Sequence, residues 1–439
     1  MCRFRILPAL LVSLMVKEAK VLFVSAAVLP VFFLSLMTGI SEVGASDVKY
    51  PPLQTPPIIL EASIVLQKDV LTGTNYKVEQ KVKNDGFINS YKLDTDYGLF
   101  PVESTELLLE RINELMALRH MEELKGTSAF GDALKESAKA PYYTAKGLVT
   151  EPVDTVSGIA TGVGRWFSDV GRSITSSDPH QENVLKTAVG YASIKRKYAY
   201  EYGIDPYTRF GPVQKRLSEI SQAALAGGIA PKVAFGLINK PVGTVLRVSA
   251  TTDSMRKLVR DKSPAELEKI NKAKLEAMGI PESVVKHFLR NPHYNPQEET
   301  LLVGFLETMK GVKGLDKFVA SAAQANEESV ARFMRLKAEM YAGYHAHVRA
   351  VKQIIEVSGS PTVQNKDGVL VILAPLDYIA WTGALFQKES VISKDIGKLS
   401  GVTGKELWIE GAVDPVARKA LESRGWKVKG NVKDELIRK

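Results

Sequence analysis

Cysteine is nearly absent from this chain: Cys2 is the one cysteine among 439 residues. Cys2 lies about forty residues before the position at which we expect an export signal to be cleaved. The mature chain is therefore expected to contain no cysteine. A chain without cysteine forms no disulfide, no cysteine-ligated zinc site, no iron–sulfur cluster and no catalytic thiolate. Its stability and chemistry must therefore come from other side chains.

Basic runs interleaved with aromatic residues, which are typical of nucleic-acid binding, are also missing. The formal net charge is +9, and removing the four basic and two acidic residues of 1–45 lowers it to +7. Charged residues make up 24% of the chain with both signs mixed, which is ordinary for a protein surface. We predict no nucleic-acid partner.

Familiar catalytic and metal-binding motifs are missing as well. There is no Gly-x-Ser-x-Gly elbow and no His-Glu-x-x-His helix, and the glycine spacing at 401–405 does not match a P-loop. His345 and His347 are two residues apart, which places them on different faces of a helix. His287 and His293 would join them only through the fold. We predict no metal and no cofactor, and the catalytic residues stay unknown.

Residues 1–45 resemble a secretory signal. The segment Lys17–Lys20 is net positive, 21–40 is the most apolar stretch of the chain, and Val43-Gly44-Ala45 forms a cleavage site before Ser46. We expect cleavage near Ala45 and a periplasmic or secreted mature protein. The alternative is an uncleaved membrane anchor, because residues 21–40 are numerous and apolar enough to span a bilayer.

The remaining residues predict an α+β fold that is mainly α: a small N-terminal β module, a central helical bundle and a small C-terminal α/β lobe. The longest predicted helix runs from Glu327 to Val357, and a strand–helix–strand unit lies near the C-terminus. The predicted segments are a Pro-rich tether at 46–57, a β-rich module at 58–103, a helical region at 104–262, a helical bundle at 263–357 and the α/β lobe at 358–439.

Several element boundaries have local sequence signals. Asn84-Asp85-Gly86 predicts a hairpin turn, and the apolar run 63–66 is strand-like. Ser104 is predicted to cap a long helix. Ser263 and Asn295 are each followed by proline and, at the third position, by glutamate, which is a typical helix start.

Residues 147–160 and 236–249 form an internal repeat. Gly, Leu, Pro, Val, Thr and Val coincide in the two copies, and an Ala-Pro pair precedes each copy. Two copies are too few for a solenoid. We predict two related helical elements, each bent where proline begins a new helix.

The first copy leads into a glycine-rich amphipathic segment. Small residues such as Gly158 and Gly162 keep this predicted helix slim, although glycine costs about 1 kcal/mol relative to alanine in a helix. Apolar residues recur at three- and four-residue steps along this segment and form one stripe on the predicted helix. Close helix packing, insertion into a lipid interface, or simple burial in a soluble bundle would each explain the stripe. The apolar residues that we assign to membrane or partner contact are Val153, Val156, Ile159, Val163, Trp166, Phe167 and Val170.

Three loops combine proline with a polar aromatic residue, at 205–207, 290–294 and 375–378. Together with Tyr202-Gly203-Ile204 and Gly425-Trp426, in this order, these segments resemble a family of exported bacterial proteins to which no activity is assigned. The resemblance implies export and supplies no catalytic residue. Residues 147–164 are also similar to the membrane-docking helices of bridge-like lipid-transfer proteins, although the chain lacks their long hydrophobic groove.

Our leading hypothesis is a non-enzymatic protein of the cell envelope that contacts membrane lipid or an envelope protein through residues 141–174 and 230–260. The alternative hypothesis is an exported, hydrolase-like enzyme whose site is assembled from distant loops. A purely structural scaffold is the third. The oligomeric state is left open.

Overall fold

A computed structural model describes residues 51–125, 179–225 and 249–437. Within these ranges the fold is α+β and mainly helical, as predicted. Three predicted features lie outside the described residues. They are the export signal at 1–45, both repeat copies apart from Ser249, and all seven predicted contact residues. The predicted domain boundaries stay predictions. The described part of the tether contacts the C-terminal lobe, because the backbone N–H of Gln54 donates to the carbonyl of Trp381 at 2.7 Å.

The N-terminal module is an antiparallel sheet with β5 at its centre. β4 and β3 pair with one edge of β5, and β6 pairs with the other. The predicted hairpin is confirmed, since Asn84 pairs with Asn89 and the Asp85 carboxylate accepts the N–H groups of Phe87 and Ile88. The strands are β1 (Ile58–Glu61), β2 (Thr72–Gly73), β3 (Tyr76–Val78), β4 (Lys81–Asn84), β5 (Asn89–Thr95) and β6 (Gly98–Glu103).

The strand prediction for residues 63–66 is wrong, because helix α1 (Ala62–Val65) occupies this position. The N–H of Leu66 donates to the carbonyl of Ala62, which closes a helical turn directly after β1. A short apolar run fits either conformation, and periodicity alone does not separate them.

Three described helices of the middle region begin where the sequence predicts starts. The Ser104 hydroxyl accepts the N–H of Leu107, and Ser263 and Glu266 form a complete capping box. Asn295 accepts two backbone N–H groups. The helices are α2 (Thr105–Lys125), α3 (Pro179–Glu201), α4 (Gly211–Leu225), α5 (Ala250–Asp261), α6 (Pro264–Ala277), α7 (Glu282–Leu289), α8 (Pro296–Glu307), α9 (Leu315–Ala322) and α10 (Glu328–His347).

The C-terminal lobe is built on a five-stranded sheet of order β13-β11-β9-β8-β7. β9, β11 and β13 are parallel, and the predicted strand–helix–strand unit is confirmed as β11–α12–β13. The elements are β7 (Val351–Val357), β8 (Ser360–Asn365), β9 (Val369–Ala374), β10 (Tyr378–Ile379), α11 (Gly383–Ile396), β11 (Gly404–Ile409), β12 (Ala412–Val413), α12 (Pro415–Ser423), β13 (Trp426–Lys429) and α13 (Lys433–Leu436).

The predicted helix Glu327–Val357 is too long. α10 ends at His347, and Val351–Val357 forms β7, which pairs antiparallel with β8. The two residues between these strands, Ser358 and Gly359, both have positive φ (50° and 76°), the signature of a tight hairpin turn. Backbone pairing with β8 therefore overrides the helical pattern here.

The hydrophobic core links the bundle to the lobe. Buried residues of α8, α9 and α10, such as Phe305, Phe318 and Tyr341, share one cluster with Val363 and Leu373 of the sheet. α11 and α12 cover the opposite face of that sheet. The N-terminal module and the first helices have a separate core.

Candidate functional site

A row of glutamates on α2 begins a cluster of largely buried charges. Glu106, Glu110 and Glu114 recur at four-residue steps, so they lie on one face of the helix. Apolar residues on either side anchor α2, with Leu108 and Ile112 fully buried. The helix therefore presents three carboxylates to the interior rather than to solvent.

Helix α10 supplies the opposing cations. Arg332 forms an ion pair with Glu110, and Arg335 binds Glu298 of α8 through two hydrogen bonds of 2.9 and 3.4 Å. Arg335 also lies 3.5 Å from Glu339, one turn further along α10. Because the predicted cap residue Glu298 pairs with Arg335, its side chain takes no part in capping α8.

Burial is the main cause that raises the pKa of Glu339, to about 7. The nearby Arg335 guanidinium lowers this pKa, while the carboxylates of Glu106 and Glu410 raise it. Glu339 therefore titrates near neutral pH in the folded protein.

The C-terminal end of the chain extends this charge cluster. The Lys433 ammonium group pairs with Glu106 of α2. It also pairs with Glu410, the residue after β11, with 2.9 Å between the nitrogen and the carboxylate oxygen. These two carboxylates raise the pKa of Lys433 above its ordinary value, although burial opposes them. One buried ion network therefore connects the N-terminal helix α2 to the bundle and to the lobe.

Asp377 makes a second connection between the same parts of the chain. It follows β9, and its two carboxylate oxygens accept the backbone N–H groups of Asn89 and Thr105, each at 2.9 Å. The second bond satisfies an otherwise free donor at the start of α2. The carboxyl end of β9, an edge at which open α/β sheets commonly bind ligands, is thus in contact with the N-terminal module of the same chain.

The three loop clusters singled out from the sequence are structural in the described residues. The Tyr294 hydroxyl donates to the carbonyl of Ala322, and that of Tyr378 donates to Asp414. Asn295 donates to Asp205 at 2.7 Å. These contacts fix loop conformations, and the structure does not gather the three loops into one site.

The candidate histidines do not converge either. The ring of His345 accepts the N–H of Val351, and the largest cause of its lowered pKa is burial. Over residues 51–125, 179–225 and 249–437, no three side chains of His, Cys, Asp or Glu are arranged to hold a metal ion. His287 and His347 are exposed, and His293 and His345 are partly buried.

The ion network itself was missed in the sequence, although a signal exists. Glu106, Glu110 and Glu114 repeat every four residues beside apolar neighbours, and α10, which carries Arg332 and Arg335, is largely buried from Met334 to Tyr344. Charges on a mainly buried helix must find partners. The identity of each partner depends on how the helices dock.

Two further contacts show how the first helices are oriented. Arg111 of α2 donates to Thr208, just ahead of α4, at 3.3 Å, and Arg216 of α4 pairs with Glu122 near the end of α2 at 3.1 Å. Contacts therefore advance along both helices together, so α2 and α4 run in the same direction. Their C-terminal ends lie on the same side of the molecule.

α3 runs against α4. Lys195 of α3 donates to Gln214 near the start of α4, whereas a Cβ at Gly190 would lie 3.5 Å from the side chain of Leu225, the last residue of α4. The middle of α3 is thus next to the end of α4, and the first turns of α3 extend beyond that end. The chain leaves α2 for residues 126–178 and leaves α4 for residues 226–248 on the side where α3 begins.

Comparisons with protein-family models, with curated proteins and with solved structures find no match to the chain. Among the helices that the structure describes, none has both the length and the hydrophobicity to cross a bilayer.

Proposed function

We propose that this protein is exported to the cell envelope and contacts a membrane surface through the glycine-rich segment at 141–174 and its repeat in 230–248. The observation that carries the proposal is the placement of the helix ends. Residues 126–178 are joined to the end of α2 and the beginning of α3, and residues 226–248 follow the end of α4. These three helix ends lie on one side of the described structure. Two related amphipathic segments attached on one side would face the same surface.

The second predicted contact range needs a narrower boundary. Its described part, α5, packs against neighbouring helices: the side chain of Met255 meets the backbone of α8 at Gly304, and Tyr200 of α3 donates to Asp253. Residues 250–260 therefore belong to the helical layer, and we restrict the proposed contact to residues before Ser249.

Vesicle co-sedimentation of the mature chain 46–439 tests this function. We expect binding to vesicles of anionic phospholipid, weaker binding to zwitterionic vesicles, and at least about a fivefold loss of affinity for Trp166→Asp, because a charge opposes insertion of an apolar side chain. The matched control is Val391→Asp, which changes a 55% exposed residue of α11. Its affinity should be unchanged.

Absence of binding to anionic vesicles, or equal binding by the wild type and Trp166→Asp, would refute the lipid proposal. Capture of one specific envelope protein by the wild type, lost in Trp166→Asp, would instead support a protein partner. Circular dichroism of each variant separates loss of contact from loss of fold.

Export is tested separately by the mass of the mature N-terminus. After expression in a double-membraned bacterium, we expect a chain that begins at Ser46 in the periplasmic fraction. A membrane-bound chain that keeps residues 21–40 would support the anchor instead. A full-length chain in the cytoplasm would contradict export.

A further inference from the structure

A second buried lysine has surroundings unlike those of the ion network. Lys337 lies on α10 with only 5% of its surface exposed, and its ammonium nitrogen is 2.9 Å from the hydroxyl oxygen of Ser360. The ring of Tyr341 lies 5.7 Å from the same nitrogen. The side chain therefore points from the bundle toward the β7–β8 hairpin.

Among the described residues, no carboxylate forms an ion pair with this amine. Burial is the sole cause that lowers the pKa of Lys337, to about 7, and no charged group in the described residues contributes. A large fraction of the amine is consequently neutral at neutral pH, with a lone pair next to a hydroxyl group. A buried amine of this kind is suited to act as a general base.

Ser360 is held in place by its neighbours on β8. The hydroxyl of Tyr341 donates to the carbonyl of Pro361 at 2.5 Å, and Thr362 donates to the carbonyl of Ser360 at 3.3 Å. Ser360 also pairs with Val357 across the hairpin. These contacts fix the backbone of Ser360 relative to α10, and with it the distance between hydroxyl and amine.

The hairpin tip leaves the serine open to solvent on one side. Ser360 is partly exposed, and the position that a Cβ would take at the adjacent Gly359 has no atom within 4 Å. The amine lies behind the hydroxyl, toward the core. A small acyl compound would reach the serine from outside without displacing the lysine.

We propose that Ser360 and Lys337 form a serine–lysine dyad that cleaves esters by acyl transfer. In the first step, the Ser360 oxygen bonds to the carbonyl carbon of the ester and its proton passes to the Lys337 amine. The bond to the alcohol oxygen breaks, and the alcohol leaves with that proton. A water molecule then attacks the acyl-serine, gives one proton back to the serine oxygen and releases the carboxylic acid.

This dyad supplies a nucleophile and a base at hydrogen-bonding distance, the arrangement common to serine acyl-transfer sites of unrelated folds. It uses no histidine, so it differs from the histidine-based site considered for a hydrolase. It does not depend on the membrane proposal, because Lys337 and Ser360 both lie in described elements that the membrane proposal does not use.

A fluorophosphonate probe tests the proposal on the mature chain, because it phosphonylates activated serines with loss of fluoride. We expect one adduct by intact mass, located at Ser360 by peptide mapping, with a labelling rate that rises through an apparent pKa near 7. Ser360→Ala should abolish the adduct, and Lys337→Met should slow labelling at least about tenfold. Hydrolysis of p-nitrophenyl acetate should follow the same pattern.

Ser358→Gly is the matched control, since Ser358 lies two residues away, donates to Asp395 at 2.7 Å and has a φ that glycine adopts readily. Its labelling rate should equal that of the wild type. The proposal is overturned if no adduct forms, if the adduct persists in Ser360→Ala, or if Lys337→Met is labelled as fast as the wild type.

Discussion

Lys433 and Lys337 are both withdrawn from solvent, yet the protein treats their ammonium groups in opposite ways. Lys433 lies between Glu106 and Glu410, and these carboxylates raise its pKa. Among the described residues, Lys337 faces the neutral hydroxyl of Ser360 and the ring of Tyr341, and burial lowers its pKa. The charge on a buried lysine is thus decided by its partners more than by the burial itself.

The difference separates two roles. A paired buried cation connects elements, as Lys433 connects α13 to α2 and to the end of β11. An unpaired buried amine destabilises the fold for as long as it carries a proton, because nothing replaces its lost hydration. Such a group persists more readily where its chemistry is used, and this is the physical ground for assigning Lys337 to a dyad.

The largest effect should come from removing the paired lysine. Lys433→Met leaves Glu106 and Glu410 close together without their cation, and we expect a loss of about 2–4 kcal/mol in the free energy of unfolding. Denaturant unfolding at pH 7 measures it. The replacement keeps the length of the side chain, so a loss below about 1 kcal/mol would mean that the network does not hold α2 in place.

Replacing the unpaired lysine should act in the opposite direction. Lys337→Met removes a buried amine without uncovering a charge, and we expect a gain of about 2 kcal/mol at pH 6. Lys352→Met, at an exposed position of β7, is the control and should change the free energy of unfolding little.

The pH dependence of this gain follows from the lowered pKa. The folded protein binds a proton at Lys337 more weakly than the unfolded chain, whose lysine titrates near 10.5. The destabilisation is full below pH 7 and is lost as the pH rises from about 7 to 10.5. The difference between Lys337→Met and the wild type should therefore shrink from pH 7 to pH 10, and a constant difference would show that Lys337 stays charged.

Local chemistry explains how much of this structure could be predicted. Helix starts at Ser104, Ser263 and Asn295, and the turn after Asn84, depend on residues within a few positions of one another, and all are confirmed. The sequence pattern predicts a helix over Val351–Val357 because its apolar residues also fit the helical period, whereas pairing with β8 makes this segment a strand. Such pairing is a tertiary effect that the sequence pattern does not display.

The candidate sites were harder to predict for the same reason. Lys337 and Ser360 are 23 positions apart in the sequence, and their contact depends on the hairpin folding back onto α10. The glutamates of α2 were visible as a periodic row, but their partners Arg332 and Lys433 lie more than 200 residues away. The sequence suggests that these charges need partners without identifying them.

Breaking an exposed ion pair should change the free energy of unfolding least. Arg349 pairs with Asp367, and both side chains are more than half exposed, at 54% and 52%. Water already solvates both charges, so the pair gains little when it forms. We expect Arg349→Met to change the free energy of unfolding by less than about 0.5 kcal/mol, measured beside Lys433→Met in the same denaturant series. If the exposed pair proved as important as the buried one, burial would not strengthen charge interactions in this protein, and the lowered pKa of Lys337, whose cause is burial, would lose its physical basis.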